Sequence, residues 1–295
     1  MRAVLITLLG VTALMLSRFA PAVGAQELKF DPNDPAVKKG HEIMLAIYNL
    51  PVVEKVFLES ELKIYDKQDA LLYTKRSRGA QYFQDFATGE KRLQRSLSYF
   101  FSPADDQGNG AMVFEHEKTD DDEQYLYLRQ TRKARRIIGS SKKDDYFGSD
   151  FRAADVVRRR YPDYNFRFLG EEKLEFNGKP TPVLAKLESQ HKDPQKREDW
   201  DEGKSIIWIH PQSGLVFKAE RYNTQMQMDK VLTLKAFTKT KNKKGEDCYL
   251  VAGLDIKTVN RGTHSEFVIT SRKYEADAGF ATDIFTTDSF TKQWW

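Results

Sequence analysis

The sequence predicts a mainly β fold of the α+β class, one antiparallel sheet that curls and places a few helices against its inner surface. Three observations predict it. Runs with a period of two follow one another from Val53 to Tyr274, with turn signals between them. Helical spacing is confined to the start and to two short stretches later on. No internal repeat or low-complexity linker divides the chain, so residues 26–295 read as one domain.

The elements follow in order. Asn33-Asp34-Pro35 offers a capping side chain and then proline in the first turn. Val37, Gly40, Ile43, Met44 and Ile47 recur at helical spacing, predicting a helix over 35–48 that stops at Asn49-Leu50-Pro51. Gly40 in mid-face predicts close packing on the sheet. From Val53 the period becomes two. Val56, Leu58, Ser60, Leu62 and Ile64 share one face, and Lys55, Phe57, Glu59, Glu61 and Lys63 share a wet one. Strands are predicted over 71–78, 80–86, 92–101, 111–117 and 124–128, with turns at Thr88-Gly89 and from Asp105 to Gly110. A basic strand follows, Arg132 to Ile137.

Between the halves, Ser149 or Asp150 caps a predicted helix reaching about Arg158, with Phe151, Ala154, Val156 and Val157 on its apolar side. Strands then resume over 165–176 and 181–188, joined by the hairpin signal Asn177-Gly178. Five more span 205–210, 215–223, 230–239, 249–259 and 263–274. The most polar segment, Ser189 to Lys204, reads as a long surface loop. A last short helix begins near Thr287-Asp288.

The first 25 residues read as a secretory signal peptide. Met1-Arg2 is a positive start, Ala3 to Leu16 an apolar core, and Val23-Gly24-Ala25 a small-residue cleavage site. The apolar run is shorter than the roughly 20 residues a spanning helix needs. No cysteine stands near the cleavage point to carry a lipid anchor. The formal charge of +4 falls by two, to +2, without Arg2 and Arg18. That is near neutral and gives no reason to expect nucleic acid as partner. The single cysteine, Cys248, rules out an internal disulfide and has no histidine beside it to activate it.

Catalytic signals are absent. His41, His116, His191, His210 and His264 are not at metal-ligand spacing. No G-x-S-x-G, phosphate-cradling loop or dinucleotide fingerprint occurs. The run Asp120 to Glu123 lacks the spaced ligands and glycine of a calcium loop and reads as a solvated hairpin tip. Glu59 and Glu61 share a strand face, as strands commonly do with exposed pairs. The chain is therefore expected not to be an enzyme and to need no metal or cofactor. Arg132, Arg135 and Arg136 form a basic rim, suited either to protecting a sheet edge or to meeting an anionic surface. Trp294-Trp295 reads as a packing or interfacial anchor, since the charged strand faces argue against an outer-membrane barrel.

Several of these segments together resemble the LolA-like branch of the outer-membrane lipoprotein-sorting proteins. They are the first helix and strand, the acidic-to-aromatic strand Asp121 to Leu128, the basic Arg132 to Ile137, and Phe147-Gly148-Ser149-Asp150-Phe151. The chain departs from the pattern at Tyr125, where tryptophan is expected, at Arg129, where proline is expected, and in a longer Ser189–Lys204 segment. The resemblance covers about Asp34 to Phe290. It implies a strongly curved antiparallel sheet forming an incomplete barrel, with helices as a lid over a hydrophobic cavity. It further implies a monomeric periplasmic carrier that binds the acyl chains of a lipid or lipoprotein. A transporter of the resistance-nodulation-division type in the inner membrane is the implied partner. The alternative is a non-carrying adaptor or envelope-stress interaction protein working with such a transporter.

On this reading the cavity is expected to be lined by Leu58, Leu62, Leu97, Tyr99, Phe101, Met112, Phe114, Tyr125, Tyr127, Trp208, Phe217 and Leu232. Phe151 and Val156 belong to the lid, with Gly148 as its hinge.

Overall fold

A computed structural model describes residues 27–84, 93–116 and 122–292. The expected signal peptide, the turn Thr88-Gly89, the acidic pair Asp120-Asp121 and Trp294-Trp295 lie outside them.

Helix α1 (Pro35–Tyr48) has the expected bounds, with the Asp34 carboxylate accepting from the Ala36 amide at 2.8 Å. Then come β1 (Lys55–Tyr65), β2 (Leu71–Gln84), β3 (Leu93–Ser102), β4 (Gly110–Phe114), β5 (Glu123–Leu128) and β6 (Lys133–Arg136). The second half holds β7 (Tyr164–Glu172), β8 (Glu175–Phe176), β9 (Lys179–Pro180), β10 (Leu184–His191), α2 (Pro194–Trp200), β11 (Lys204–Ile209), β12 (Val216–Tyr222), β13 (Met228–Lys241), β14 (Asp247–Thr258) and β15 (His264–Tyr274). Thirteen strands form one curved antiparallel sheet in the order β6-β5-β4-β3-β2-β1-β15-β14-β13-β12-β11-β10-β7. It does not close into a barrel; β6 and β7 are its two edges. Most neighbours are consecutive hairpins, and the chain's two halves meet where β1 pairs with β15. The pair β8 and β9 stands apart as a small hairpin around Asn177-Gly178.

The alternation in β1 is the predicted one. Val56, Leu58, Ser60, Leu62 and Ile64 are buried, and the residues between them are half-exposed. On the wet side Glu59 and Glu61 pair with Arg78 and Arg76 of β2, at 2.9 and 3.0 Å. Residues 71–84 form one strand where two were expected, because Gly79 continues the pairing with Leu58 without a break.

The two faces of the sheet are covered differently. On the inner face, α1 packs Ile43, Met44 and Ile47 against Ala185, Leu187 and Ile209. Gly40 allows this approach: a Cβ there would lie 3.0 Å from the backbone of Phe166 and Phe168. Ile207 and Val216 link that cluster to a second one holding Leu62, Ile64, Leu232, Ile256 and Phe151. On the outer face, the segment after β15 runs through short turns to Phe290. It covers Ala80, Leu97, Met112 and Tyr127 with Phe280, Phe285 and Phe290. The expected helix near Thr287 is one 3-10 turn, Thr287–Phe290.

Two further expectations are corrected. The predicted helix over 149–158 is only a 3-10 turn, Ala153–Val156, with Arg152 and Val157 extended on either side. Its polar groups bind the sheet in place of one another: the Asp150 amide donates to Ser265 Oγ at 2.9 Å, and the Asp150 carboxylate accepts from Ser265 and Thr263. The segment Ser189–Lys204 is not a surface loop. It completes β10 and then forms α2, capped by Asp193 on the Gln195 amide at 2.8 Å. Trp200 and Arg197 of α2 are buried, and Arg197 donates to the His191 carbonyl at 2.7 Å. Apart from Arg197, the charged residues of α2 lie on its exposed or half-exposed side.

Candidate functional site

A cavity of about 250 Å³ lies on the inner face, between β1, β2 and β3 and the segment 146–156. Leu58, Ser60 and Leu62 of β1 and Ser77, Gly79 and Gln81 of β2 form its floor. Gln94, Ser96, Ser98 and Phe100 of β3 form one wall, and Leu254 and Phe267 another. Tyr146, Phe151, Asp155 and Val156 close it. Space exists because the strand positions facing it are small: serine or glycine stands at 60, 77, 79, 96 and 98. Three of the four serine hydroxyls are paired within the protein. Ser60 and Ser77 hydroxyls meet at 2.8 Å, and Ser98 Oγ reaches the Ala111 carbonyl at 3.3 Å.

The lid segment 146–156 is pinned at three points. Phe147 and Gly148 both have positive φ, 49° and 74°, and a Cβ at Gly148 would meet nothing within 4 Å. That turn sets the Phe147 ring edge-on to Phe100, 4.6 Å between centroids. Tyr146 is half-buried with its hydroxyl 3.4 Å from Ser98 Oγ, and burial of that hydroxyl pushes its pKa up to about 12. Phe151 inserts between Leu62, Ile64, Leu232 and Ile256.

Behind the lid lies a dense ion network. Arg152 meets Asp229 at 2.8 Å and Asp201 at 3.7 Å. The Asp155 carboxylate meets Arg221 of β12, Lys230 of β13 at 3.6 Å and Arg159 at 3.8 Å. Arg159 is also bound by Glu202. Burial alone would lower its pKa, but Glu202 and Tyr164 together outweigh burial and raise it. Lys230 is fully buried and donates to the Asp150 carbonyl. Burial, then the charges of Arg152 and Arg221, lower its pKa to about 7. Burial and Arg152 likewise lower Arg221 to about 10.

The predicted lining divides. Leu58, Leu62, Phe151 and Val156 face the cavity. Leu97 borders it while its side chain packs on the outer face with Ala80 and Met112. Leu232 lies on the inner face but inside the filled cluster around Phe151. The remaining calls fall on the other face. Met112, Phe114, Tyr125 and Tyr127 pack under the segment 278–290, Tyr127 stacking on Phe290 at 5.2 Å. The cross-strand register puts Tyr99 opposite Arg78 and Gly110, on that same side, and the Arg78 guanidinium lies over the Phe101 ring. The reason is phase: β3 presents its even-numbered residues inward, and the aromatics at 99 and 101 are odd.

Trp208 also faces outward, donating to Glu172 at 2.8 Å between the ammonium groups of Lys186 and Lys218. Phe217 is the extra residue at a register slip between β11 and β12. Its ring meets Phe176 of the β8–β9 hairpin at 5.3 Å, in a separate pocket of about 580 Å³. The basic residues Arg132, Arg135 and Arg136 stand at the β5–β6 hairpin and its edge, away from the cavity. Arg132 occupies the turn with φ 53°, and Arg136 lies 3.9 Å from Glu123. Ser96, Ser98, Phe100, Asp155, Leu254 and Phe267 were missed. The signal for the first two is their small size on alternate positions of β3. Among the described residues, no three histidine, cysteine, aspartate or glutamate side chains are grouped to hold a metal ion.

The fold has solved relatives. An outer membrane lipoprotein-sorting protein domain from Vibrio parahaemolyticus is similar at TM-score 0.72 and 20% identity, over 87% of this chain and 100% of that one. A DUF1329 family protein from Desulfovibrio piger is similar at 0.73 and 20%, over 86% and 99%. A LolA superfamily protein from Nitrosomonas europaea is similar at 0.59 and 15%, over 85% and 98%. No curated protein matches the chain. A family model described as "Uncharacterized protein" matches residues 92–292. The chain belongs to that family, and its fold is the LolA-like fold of the outer-membrane lipoprotein-sorting domains.

Proposed function

We propose that this protein is a periplasmic carrier, exported by a cleaved signal peptide, that takes the acyl chain of a lipid or lipoprotein into the inner-face cavity and releases it at another membrane. The observation that carries this reading is an apolar cavity floored by the sheet and roofed by a pinned segment, in a LolA-like fold. Each methylene withdrawn from water contributes about 0.8 kcal/mol, so binding needs no covalent chemistry and no cofactor. At about 250 Å³ the cavity is below the roughly 300–1,000 Å³ of sites that enclose a whole ligand. Loading therefore includes movement of the segment 146–156.

Native mass spectrometry of protein purified from the periplasm tests the proposal. A co-purifying acyl lipid, lost in Leu58→Glu, is the expected result. A protein that retains no lipid and binds no fluorescent fatty acid would sink it. The second reading, an adaptor for an inner-membrane transporter, is favoured by Leu71, Leu72 and Tyr73. All three are more than half exposed at the start of β2, where an adaptor would present an apolar contact.

A further inference from the structure

We infer that the ligand of this cavity carries an anionic head group, and that the Asp155 carboxylate holds the place of that group while the lid is down. The inference rests on the carrier reading and adds the charge of the ligand to it. Among the described residues, Asp155 is the one charged side chain in the cavity wall; the rest are apolar, small or neutral. A carboxylate there needs a reason, since burying an ion is costly unless partners repay it.

The partners are cations. Asp155 Oδ1 accepts from Arg221 and lies 3.8 Å from Arg159, and Oδ2 lies 3.6 Å from Lys230. Arg159 and Arg221 have a second carboxylate, Glu202, within reach. Lys230 has no carboxylate but Asp155 within 4 Å among the described residues, and its other contact is the neutral Asp150 carbonyl.

The cations and the carboxylate are carried by different parts of the molecule. Arg221 and Lys230 project from β12 and β13, inside the large sheet. Asp155 sits on the turn Ala153–Val156, which has extended backbone at both ends. When that turn rises to admit a chain, Asp155 leaves and the two sheet cations stay. They then stand buried at the end of an apolar cavity, Lys230 with no carboxylate left within 4 Å among the described residues, in a charge-assisted arrangement that binds a phosphate or carboxylate strongly. The depressed pKa values of Lys230 and Arg221 agree: even with Asp155 in place, burial and neighbouring cations leave the site short of negative charge.

Calorimetry with three twelve-carbon probes below their micelle concentrations tests this: dodecyl phosphate, laurate and dodecanol. The intact protein should bind at least one anionic probe about tenfold more tightly than dodecanol, the scale of one charge-assisted hydrogen bond. Preference for dodecyl phosphate over laurate assigns a phosphate head, and the reverse a carboxylate. Lys230→Met should lower the anion-to-alcohol affinity ratio about tenfold, and Asp155→Asn should raise it by a similar factor. If Lys230→Met does not fold, Asp155→Asn decides alone. Equal affinity for charged and uncharged probes, or an unchanged ratio in Asp155→Asn, overturns the inference and leaves the carrier reading standing. Failure of all three probes to bind overturns both.

Discussion

The same strands, β1 to β3, present a filled surface outward and a cavity inward. Outward, Ala80 and Leu97 pack beneath Phe280, Phe285 and Phe290 in one buried cluster. Inward, Ser60, Ser77, Gly79, Ser96 and Ser98 lie beneath Tyr146, Phe151 and Val156, and a cavity of about 250 Å³ is left. Both surfaces are roofed by non-regular chain with aromatic anchors. What differs is the size of the strand residues underneath. Large side chains consume the volume that a roof encloses, whereas a row of small ones preserves it. Under β1 to β3, then, the outer aromatic residues mark where the structure is closed, and the inner row of small residues marks where it can hold something.

The comparison is broken most severely by emptying the filled side. Phe290 is buried, stacks on Tyr127 and lies against Gly110. Phe290→Ala should cost about 3–5 kcal/mol of stability by urea denaturation. Binding of an acyl probe by the surviving folded fraction should be unchanged, because the lost ring is on the far side of the sheet. A loss of probe affinity as large as the loss of stability would mean that the two faces are not independent.

Filling the open side should do the reverse. Ser96 lines the cavity and makes no side-chain hydrogen bond recorded among the described residues. Ser96→Phe should weaken an acyl probe by more than about tenfold, with stability changed by less than about 1.5 kcal/mol. Unaltered probe affinity would move the binding site elsewhere, with the outer pocket beside Phe217 and Phe176 the next place to look.

How much of this was legible in the sequence depends on the kind of signal. The helix 35–48, the hairpin at Asn177-Gly178 and the alternation of β1 were readable because each depends on local chemistry: a cap, a turn, a period. The closed aromatic surface was misread because periodicity says that two faces differ without saying which one is roofed by which distant segment. Tyr125 and Tyr127 have the right spacing for a lining, yet the residues that cover them are about 150 positions later in the chain. The segment 149–158 was misread for a related reason. Its apolar spacing suits a helix, but Asp150 finds better partners in Ser265 and Thr263, which no local rule can foresee. Likewise no local signal marks Lys230 as a buried lysine.

Lys230 offers a smaller test of the inner face, through pH. Its neighbours are the charges of Arg152, Arg221, Asp229, Asp155 and Asp145, together with the Asp150 carbonyl. Below about pH 7 the lysine is charged in both the folded and unfolded chain, and its burial is fully unfavourable. Between about 7 and the ordinary 10.5 the unfolded chain binds the extra proton, so this contribution to stability rises with pH. The difference in melting temperature between the intact protein and Lys230→Met should therefore shift in favour of the intact protein as pH is raised from 7 to 10. A difference that is flat over this window would mean that Lys230 stays charged beneath the lid.

The smallest expected effect concerns the polar lining itself. Ser60 and Ser77 share one buried hydrogen bond across β1 and β2, 2.8 Å long, in the cavity floor. Ser60→Ala alone leaves the Ser77 hydroxyl without its partner and should cost about 1–2 kcal/mol. Removing both hydroxyls leaves nothing unsatisfied, so Ser60→Ala with Ser77→Ala should be more stable than either single variant. The floor of the double variant is also less polar, and an uncharged probe such as dodecanol should bind it slightly more tightly than it binds the intact protein. A double variant whose loss equals the sum of the single losses would show that the two hydroxyls act separately, each with its own water. The cavity would then be a hydrated one, and small side chains on the inner face would be keeping room for water and not for an acyl chain.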